Sequence, residues 1–156
     1  MLIEIGQPAP DFTLFDTDKN SLSLSSQKGK NVLLLFFPLA FTSVCTKELC
    51  TIRDDMANYS NSNATVFGIS VDSPQTLKKF RELQGFNFSL LSDFNKEVSA
   101  IYGCLYQEFI GWMKGVSKRS AFIIDKKGMV QYAEVLENAG DLPDFEAINK
   151  TLSALA

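Results

Sequence analysis

Three cysteines, Cys45, Cys50 and Cys104, and the complete lack of histidine limit the chemistry open to this 156-residue chain. Without imidazole, Ser-His-Asp and Cys-His hydrolysis are excluded, and so is nearly every transition-metal site that histidine would build. Three thiols also fall short of a four-cysteine zinc site, so no metal or other cofactor is expected. Catalysis must then run on thiols, carboxylates, lysines, arginines or hydroxyls. The cysteines are too few and too unevenly spaced for the disulfide framework of a small secreted domain, and reduced or cycling thiols fit better.

The first two cysteines fall in "FFPLAFTSVCTKELC", residues 36–50. An apolar strand enters this stretch, and Pro38, which has no N–H, must turn the chain out of the sheet. Thr42 and Ser43 are both competent helix caps, which puts Cys45 in the first helical turn. Unpaired N–H groups and the positive end of the helix dipole there favour a thiolate, the nucleophilic form of cysteine. Cys45 also lies on the apolar stripe Cys45, Leu49, Ile52, Met56, where cysteine can serve simply as a small buried hydrophobe. Cys50 is rotated from it by ~140° and displaced by ~7.5 Å along the helix. Two such sulfurs cannot bond while the helix stands.

The surrounding pattern predicts how these residues are held. "DFTLFD" (11–16) and "SLSLS" (21–25) alternate in polarity and read as a hairpin. "NVLLLFF" (31–37) and "TVFGISVD" (65–72) are apolar on both faces, as central strands covered on both sides are. Each precedes a helix, the first running to about Tyr59 and the second starting at the Ser73 cap with Pro74 in its first turn. A short strand (88–93), a short helix (96–102) and an aperiodic loop (103–118) follow. Strands 120–125 and 129–135, joined by a tight turn, and a helix over 142–155 complete the chain. This is an α/β domain with a mixed central sheet and helices on both faces, and its length suits one domain, residues 1–156. Ligand sites in such sheets lie at the carboxyl ends of the central strands.

Other classes fit poorly. The net charge of −3 comes with scattered basic residues, so no phosphate-tracking stripe is present and nucleic acid is not an expected partner. The longest apolar stretch, 32–41, is about half of what a membrane span needs. The first residues do not read as a signal peptide, and a cytoplasmic location is the expectation.

"PLAFTSVC" matches the Pro-x-x-x-Thr-x-x-Cys signature of the peroxiredoxins, the AhpC/TSA family. "GQPAPDFTL", "FGISVDSP", "LLSD", "YG" and "RSAFIIDKKG" occur in that family's order, so the resemblance spans essentially the whole chain. It implies a thioredoxin-like fold with an added N-terminal β-hairpin and the reduction of hydrogen peroxide and organic hydroperoxides. It also implies that Cys45 is the peroxidatic cysteine, which becomes sulfenic acid. Thr42 would offer its hydroxyl to the thiolate and the peroxide, and Pro38 would shield the pocket from water. Arg119 would approach the sulfur from a neighbouring strand, and Glu48 would orient that arginine. Without the resemblance, Arg119 reads as an edge charge, Thr42 as a cap, Pro38 as a strand stop and Glu48 as an acidic first-turn residue.

Within the family the chain resembles the AhpE-type branch, commonly one-cysteine and dimeric, yet its Cys-x4-Cys spacing is that of the BCP/PrxQ branch. The resemblance implies a homodimer. If Cys50 resolves, the first helical turns must unfold to form a disulfide that thioredoxin or a similar dithiol reduces. If it does not, a low-molecular-weight thiol or a glutaredoxin-like protein must attack the sulfenic acid, and Cys104 is a third option for resolution. A thiol-disulfide oxidoreductase on the same fold, or a non-enzymatic redox-sensing binding module, are the competing functions. The missing Cys-x-x-Cys counts against the first.

Overall fold

The computed structural model describes residues 2–156. Seven strands form one sheet in the order β2-β1-β5-β4-β3-β6-β7. They are β1 (Thr13–Asp16), β2 (Ser21–Ser23), β3 (Asn31–Phe36), β4 (Ala64–Ser70), β5 (Ser89–Ser92), β6 (Ser120–Ile124) and β7 (Val130–Val135). β3, β4 and β5 run parallel, whereas β6 and β7 on one side and β1 and β2 on the other are antiparallel additions. The helices are α1 (Ser43–Asp54), α2 (Met56–Asn61), α3 (Pro74–Gln84), α4 (Glu97–Ile101) and α5 (Phe145–Leu155). The mixed sheet, the flanking helices and the N-terminal hairpin of β1 and β2 are those expected from the sequence.

β3 is buried along its whole length because both of its faces carry apolar residues. Leu33, Leu35 and Phe37 point to the face covered by α1, α2, α3 and α5, alongside Cys45, Leu49, Tyr59, Leu77, Phe80 and Ile148. Val32, Leu34 and Phe36 point to the other face, which α4 and the N-terminal segment cover with Val98, Tyr102, Phe12 and Leu24. Each large apolar side chain taken out of water here contributes about 1.5–3 kcal/mol. The period-2 alternation of β3 therefore sorts the cysteines, with Cys45 on one side of the sheet and Cys104 on the other.

Helix ends follow local chemistry. The Ser73 hydroxyl accepts from the Thr76 N–H at 3.2 Å, Pro74 opens α3, and Gly85, with φ +64°, ends it in the left-handed conformation that glycine adopts without strain. Two helix boundaries differ from the sequence reading by more than a residue, and the strand read over 21–25 stops at Ser23, where Leu24–Gln27 turn into a short 3-10 helix. The helix expected to reach Tyr59 is broken at Asp55, a poor helix former whose backbone sits at φ −108°, ψ 17°, so that α1 and α2 are separate. The last helix begins at Phe145 instead of Leu142, because Pro143 disfavours helical geometry at the residue before it and Asp144 supplies the cap, accepting from the Ala147 N–H at 3.0 Å.

The topology puts three chain segments at one edge. β3 ends at Phe36, whose antiparallel partner is Ser120, the first residue of β6. Arg119 therefore stands beside the exit of β3. β4, parallel to β3, delivers Asp72 to the same edge.

Candidate active site

Phe37 closes the ladder by donating its N–H to Ile69, and Pro38 then carries the chain away from the sheet. Thr42 occupies the cap position of α1 in extended geometry, but its hydroxyl does not cap the helix. It donates to the Leu39 carbonyl at 2.7 Å, which leaves the oxygen's lone pairs able to accept a further hydrogen bond. The first helical bond of α1 runs from the Thr46 N–H to the Thr42 carbonyl. The N–H groups of Ser43, Val44 and Cys45 thus project from the helix end, where they favour negative charge.

Cys45 is fully buried, and its sulfur faces the Arg119 guanidinium. Nη2 of Arg119 donates to Cys45 Sγ at 3.3 Å and to the Ala139 carbonyl at 3.0 Å, and Nη1 donates to Glu48 Oε1 at 2.8 Å. Arg119 and Glu48 are both withdrawn from water. Burial alone would lower the Arg119 pKa, but the charges of Glu48 and Cys45 and the hydrogen bonds to both outweigh it and raise it. Burial pushes the Glu48 carboxyl up to about 7, against the charge and hydrogen bond of Arg119, which lower it, and the nearby charge of Glu134 adds to the rise. Glu134 is itself fixed by the Tyr132 hydroxyl at 3.0 Å and the Asp144 N–H at 3.1 Å.

A raised carboxyl pKa has a definite sign for stability. Between the ordinary value of 4.5 and about 7, the folded chain holds a proton that the unfolded chain has released. Glu48 therefore contributes stability that is present below 4.5 and lost as pH rises through 7. Replacing it by neutral glutamine should remove that slope. In denaturant titrations the stability of Glu48→Gln relative to the wild type should rise between pH 4.5 and pH 8 by on the order of 3 kcal/mol, on top of a pH-independent cost of leaving Arg119 without its carboxylate. Parallel pH profiles for the two proteins would contradict a buried, titrating Glu48.

Cys45 forms the floor of a cleft of about 240 Å³ walled by Pro38, Leu39, Thr42, Val44, Phe109 and Arg119 and closed by Ala139 and Gly140. A larger cleft of about 390 Å³, between Pro8, Leu24 and Met129 at the opposite end of the sheet, contains no cysteine. Pro38, Thr42, Cys45, Glu48 and Arg119, read from the sequence as one site, are thus brought together. The Ala139 carbonyl and Phe109 complete it, and neither carried a sequence signal, since one is a main-chain atom and the other lies in an aperiodic loop.

The other thiols stand apart. Cys50 is half-buried on α1, and its Sγ lies 3.7 Å from Gln84 Oε1 at the end of α3, as partner in a weak S–H hydrogen bond. Cys104 is buried in the opposite layer of the core. Burial pushes its thiol up to about 12, against a hydrogen bond with Ser120 that lowers it. Phe37 is core, whereas Phe41 and Trp112 are exposed.

A thiol at a helix start, a buried guanidinium and a small cleft on a thioredoxin-like sheet together define the class of thiol-dependent peroxidases. The chain belongs to the AhpC/TSA family, whose model matches residues 5–133, and is a peroxiredoxin. It is 37% identical to alkyl hydroperoxide reductase E of Mycobacterium tuberculosis over 157 residues, 99% of each chain. Among solved structures it is similar to peroxidoxin BcpB from Mycobacterium tuberculosis, with TM-score 0.87 and 32% identity over 99% of each chain. It is also similar to a peroxiredoxin-like protein from Aquifex aeolicus, with TM-score 0.91 and 25% identity over 100% of this chain and 90% of that one. As a family member it takes a hydroperoxide as substrate and depends on a thiol reductant. No helix among the described residues is long and apolar enough to cross a membrane.

Proposed function

We propose that Cys45 is the thiol that attacks the hydroperoxide and that Cys50 recycles it. The observation that carries the first part is the Arg119 guanidinium, held by Glu48 and the Ala139 carbonyl with Nη2 3.3 Å from Cys45 Sγ. In the reaction the thiolate bonds to the nearer peroxide oxygen, the O–O bond breaks, and an alkoxide or hydroxide leaves and takes a proton from water. Cys45 is oxidised by two electrons to sulfenic acid. Arg119 and the Cys45 N–H supply donors for the charge that develops on oxygen, and the Thr42 oxygen can accept the O–H of the incoming peroxide. Pro38, Val44 and Phe109 line the cleft with apolar surface, which suits organic hydroperoxides as well as hydrogen peroxide.

Cys50 is favoured for the second step because it shares α1 with Cys45 and is partly accessible, whereas Cys104 is separated from Cys45 by the sheet. Resolution requires the start of α1 to unwind. Val44, Thr46, Thr51 and Ile52 are β-branched and lower its helix propensity. The hydroxyls of Thr46 and Thr51 also back-bond to the carbonyls of Thr42 and Lys47. The Cys50 thiolate then attacks the Cys45 sulfenic sulfur, hydroxide leaves and takes a proton from solvent to become water, and a disulfide forms. An external dithiol of the thioredoxin kind reduces that disulfide by two electrons; if Cys50 does not resolve, a glutaredoxin-like protein or a low-molecular-weight thiol attacks the Cys45 sulfenic acid directly. The cytoplasm, where such reductants are at hand, suits this cycle. Phe41, Ile110 and Trp112, all exposed, put apolar surface on the two loops that wall the cleft, and this supports assembly as a homodimer.

Peptide mapping after one equivalent of hydrogen peroxide tests both steps. The wild type and Cys104→Ser should each carry a 45–50 disulfide, and Cys50→Ser should retain a sulfenic acid on Cys45. A 45–104 or intermolecular disulfide in the wild type would reject Cys50 as the resolving thiol, and an unmodified Cys45 would reject both assignments.

A further inference from the structure

The loop that carries Pro38 and Thr42 has little to hold it. Among the described residues, Ala40 provides the one main-chain N–H between Phe37 and Thr46 that has a hydrogen-bond partner, and that partner is Asp72 Oδ2 at 2.8 Å. The bond spans from the loop after β3 to the loop after β4. Asp72 is itself fixed three times: the Ser70 hydroxyl donates to the same Oδ2 at 2.6 Å and accepts from the Asp72 N–H at 3.2 Å, and the Ser92 hydroxyl donates to the Asp72 carbonyl at 2.6 Å. Ser70 closes β4 and Ser92 closes β5, so the carboxylate is tied to the end of one strand and the Asp72 main chain to the ends of both.

What this brace restrains is a strained backbone. Phe41, next to Ala40, has φ +65°, a left-handed conformation that a bulky residue adopts only when its surroundings impose it. Its ring rests on Phe80 of α3, with centroids 5.0 Å apart. The Ala40 bond is the restraint next to this residue, and Thr42 and the first turn of α1 come directly after it in the chain.

We propose that Asp72 is a positioning residue for peroxide reduction: by clamping the Ala40 N–H it holds the Pro38–Thr42 loop, and with it the N-terminus of α1, in the geometry that presents Cys45 to the cleft. This rests on the reading that Cys45 is the attacking thiol. The hydrogen bond matters here, not the charge, so a side chain that keeps an acceptor oxygen at the same place should suffice.

The test is the second-order rate at which the reduced protein consumes hydrogen peroxide, measured by rapid mixing with melting curves recorded alongside. Asp72→Ala should slow it about 10- to 100-fold, the range expected when a reacting group is misplaced by about 1 Å. Asp72→Asn, whose amide oxygen can accept from both Ala40 and Ser70, should stay within about threefold of the wild type, on the same small-displacement argument. A folded Asp72→Ala at the wild-type rate, or an Asp72→Asn as slow as Asp72→Ala, would overturn the proposal. Amide hydrogen exchange on the wild type gives a reading that needs no variant: Ala40 should be protected while Leu39 and Phe41 exchange freely, and equal exchange at all three would overturn it too. Cys45→Ser run in parallel separates the premises, since activity persisting there removes the Cys45 reading and not the Asp72 clamp.

Discussion

Cys45→Ser should reduce peroxide consumption to the background of an ordinary thiol, a loss on the order of 10⁴-fold or more. Serine preserves the size and position of the side chain at the floor of the cleft, so the fold, the Arg119–Glu48 pair and the cleft itself should survive. What disappears is a soft nucleophile that bonds to an oxygen atom and later loses it as water when a second thiol attacks the sulfur. Neither remaining cysteine can take over. Cys104 is buried behind the sheet, and its thiol is held protonated, its pKa pushed up to about 12. Cys50 faces the Gln84 amide oxygen and no guanidinium donates to it. Cys104→Ser, by contrast, should consume peroxide at the wild-type rate. The assay is direct loss of hydrogen peroxide on mixing with pre-reduced protein, and activity persisting in Cys45→Ser would remove the assignment.

Arg119→Met should have the second-largest effect, and it should act on rate and stability through different partners. The rate should fall about 10²- to 10³-fold, because the donor 3.3 Å from the sulfur is lost where charge develops on oxygen. Stability should fall by about 3–5 kcal/mol, because Glu48 is left buried without its cation. Its Oε2 has no hydrogen-bond partner even with Arg119 in place, so nothing else nearby can compensate. The double variant Arg119→Met/Glu48→Leu separates the two effects. Removing both members of a buried ion pair is often neutral, so the double variant should recover most of the stability while remaining as slow as the single one. Denaturant unfolding and peroxide kinetics on the three proteins measure this. Recovery of the rate in the double variant would mean that Arg119 acts only by neutralising Glu48.

Much of this site was legible in the sequence because it follows from strand ends. A strand buried on both faces, a proline that cannot extend it and a threonine of a type suited to the cap position place Cys45 at a helix start without any tertiary information. The motif match added Arg119, and the antiparallel pairing of Phe36 with Ser120 explains why a residue 74 positions away arrives there. The parts that were not legible depend on how loops close on one another. Ala139 offers Arg119 only a main-chain carbonyl, which no side-chain pattern reports. Asp72 looked like one more residue of a motif, and its role depends on a bond to a backbone N–H 32 residues earlier. Thr42 is a competent cap by type, yet its side chain turns to the Leu39 carbonyl and accepts no N–H of α1. The apolar stripe continues past Asp55, and its period could not show that the backbone there leaves the helical region and splits one helix into two.

The central claim is that Cys45 alone among the thiols, served by Arg119, carries peroxide reduction. Cys50→Ser/Cys104→Ser leaves Cys45 as the sole cysteine, and rapid mixing of this reduced protein with excess hydrogen peroxide in the absence of any reductant isolates its chemistry. The expected result is a fast first phase that consumes one peroxide per chain at a rate within about threefold of the wild type, as befits removal of groups that do not touch the reacting atoms. Loss of that phase in a folded double variant, with the wild type retaining it, would contradict the claim.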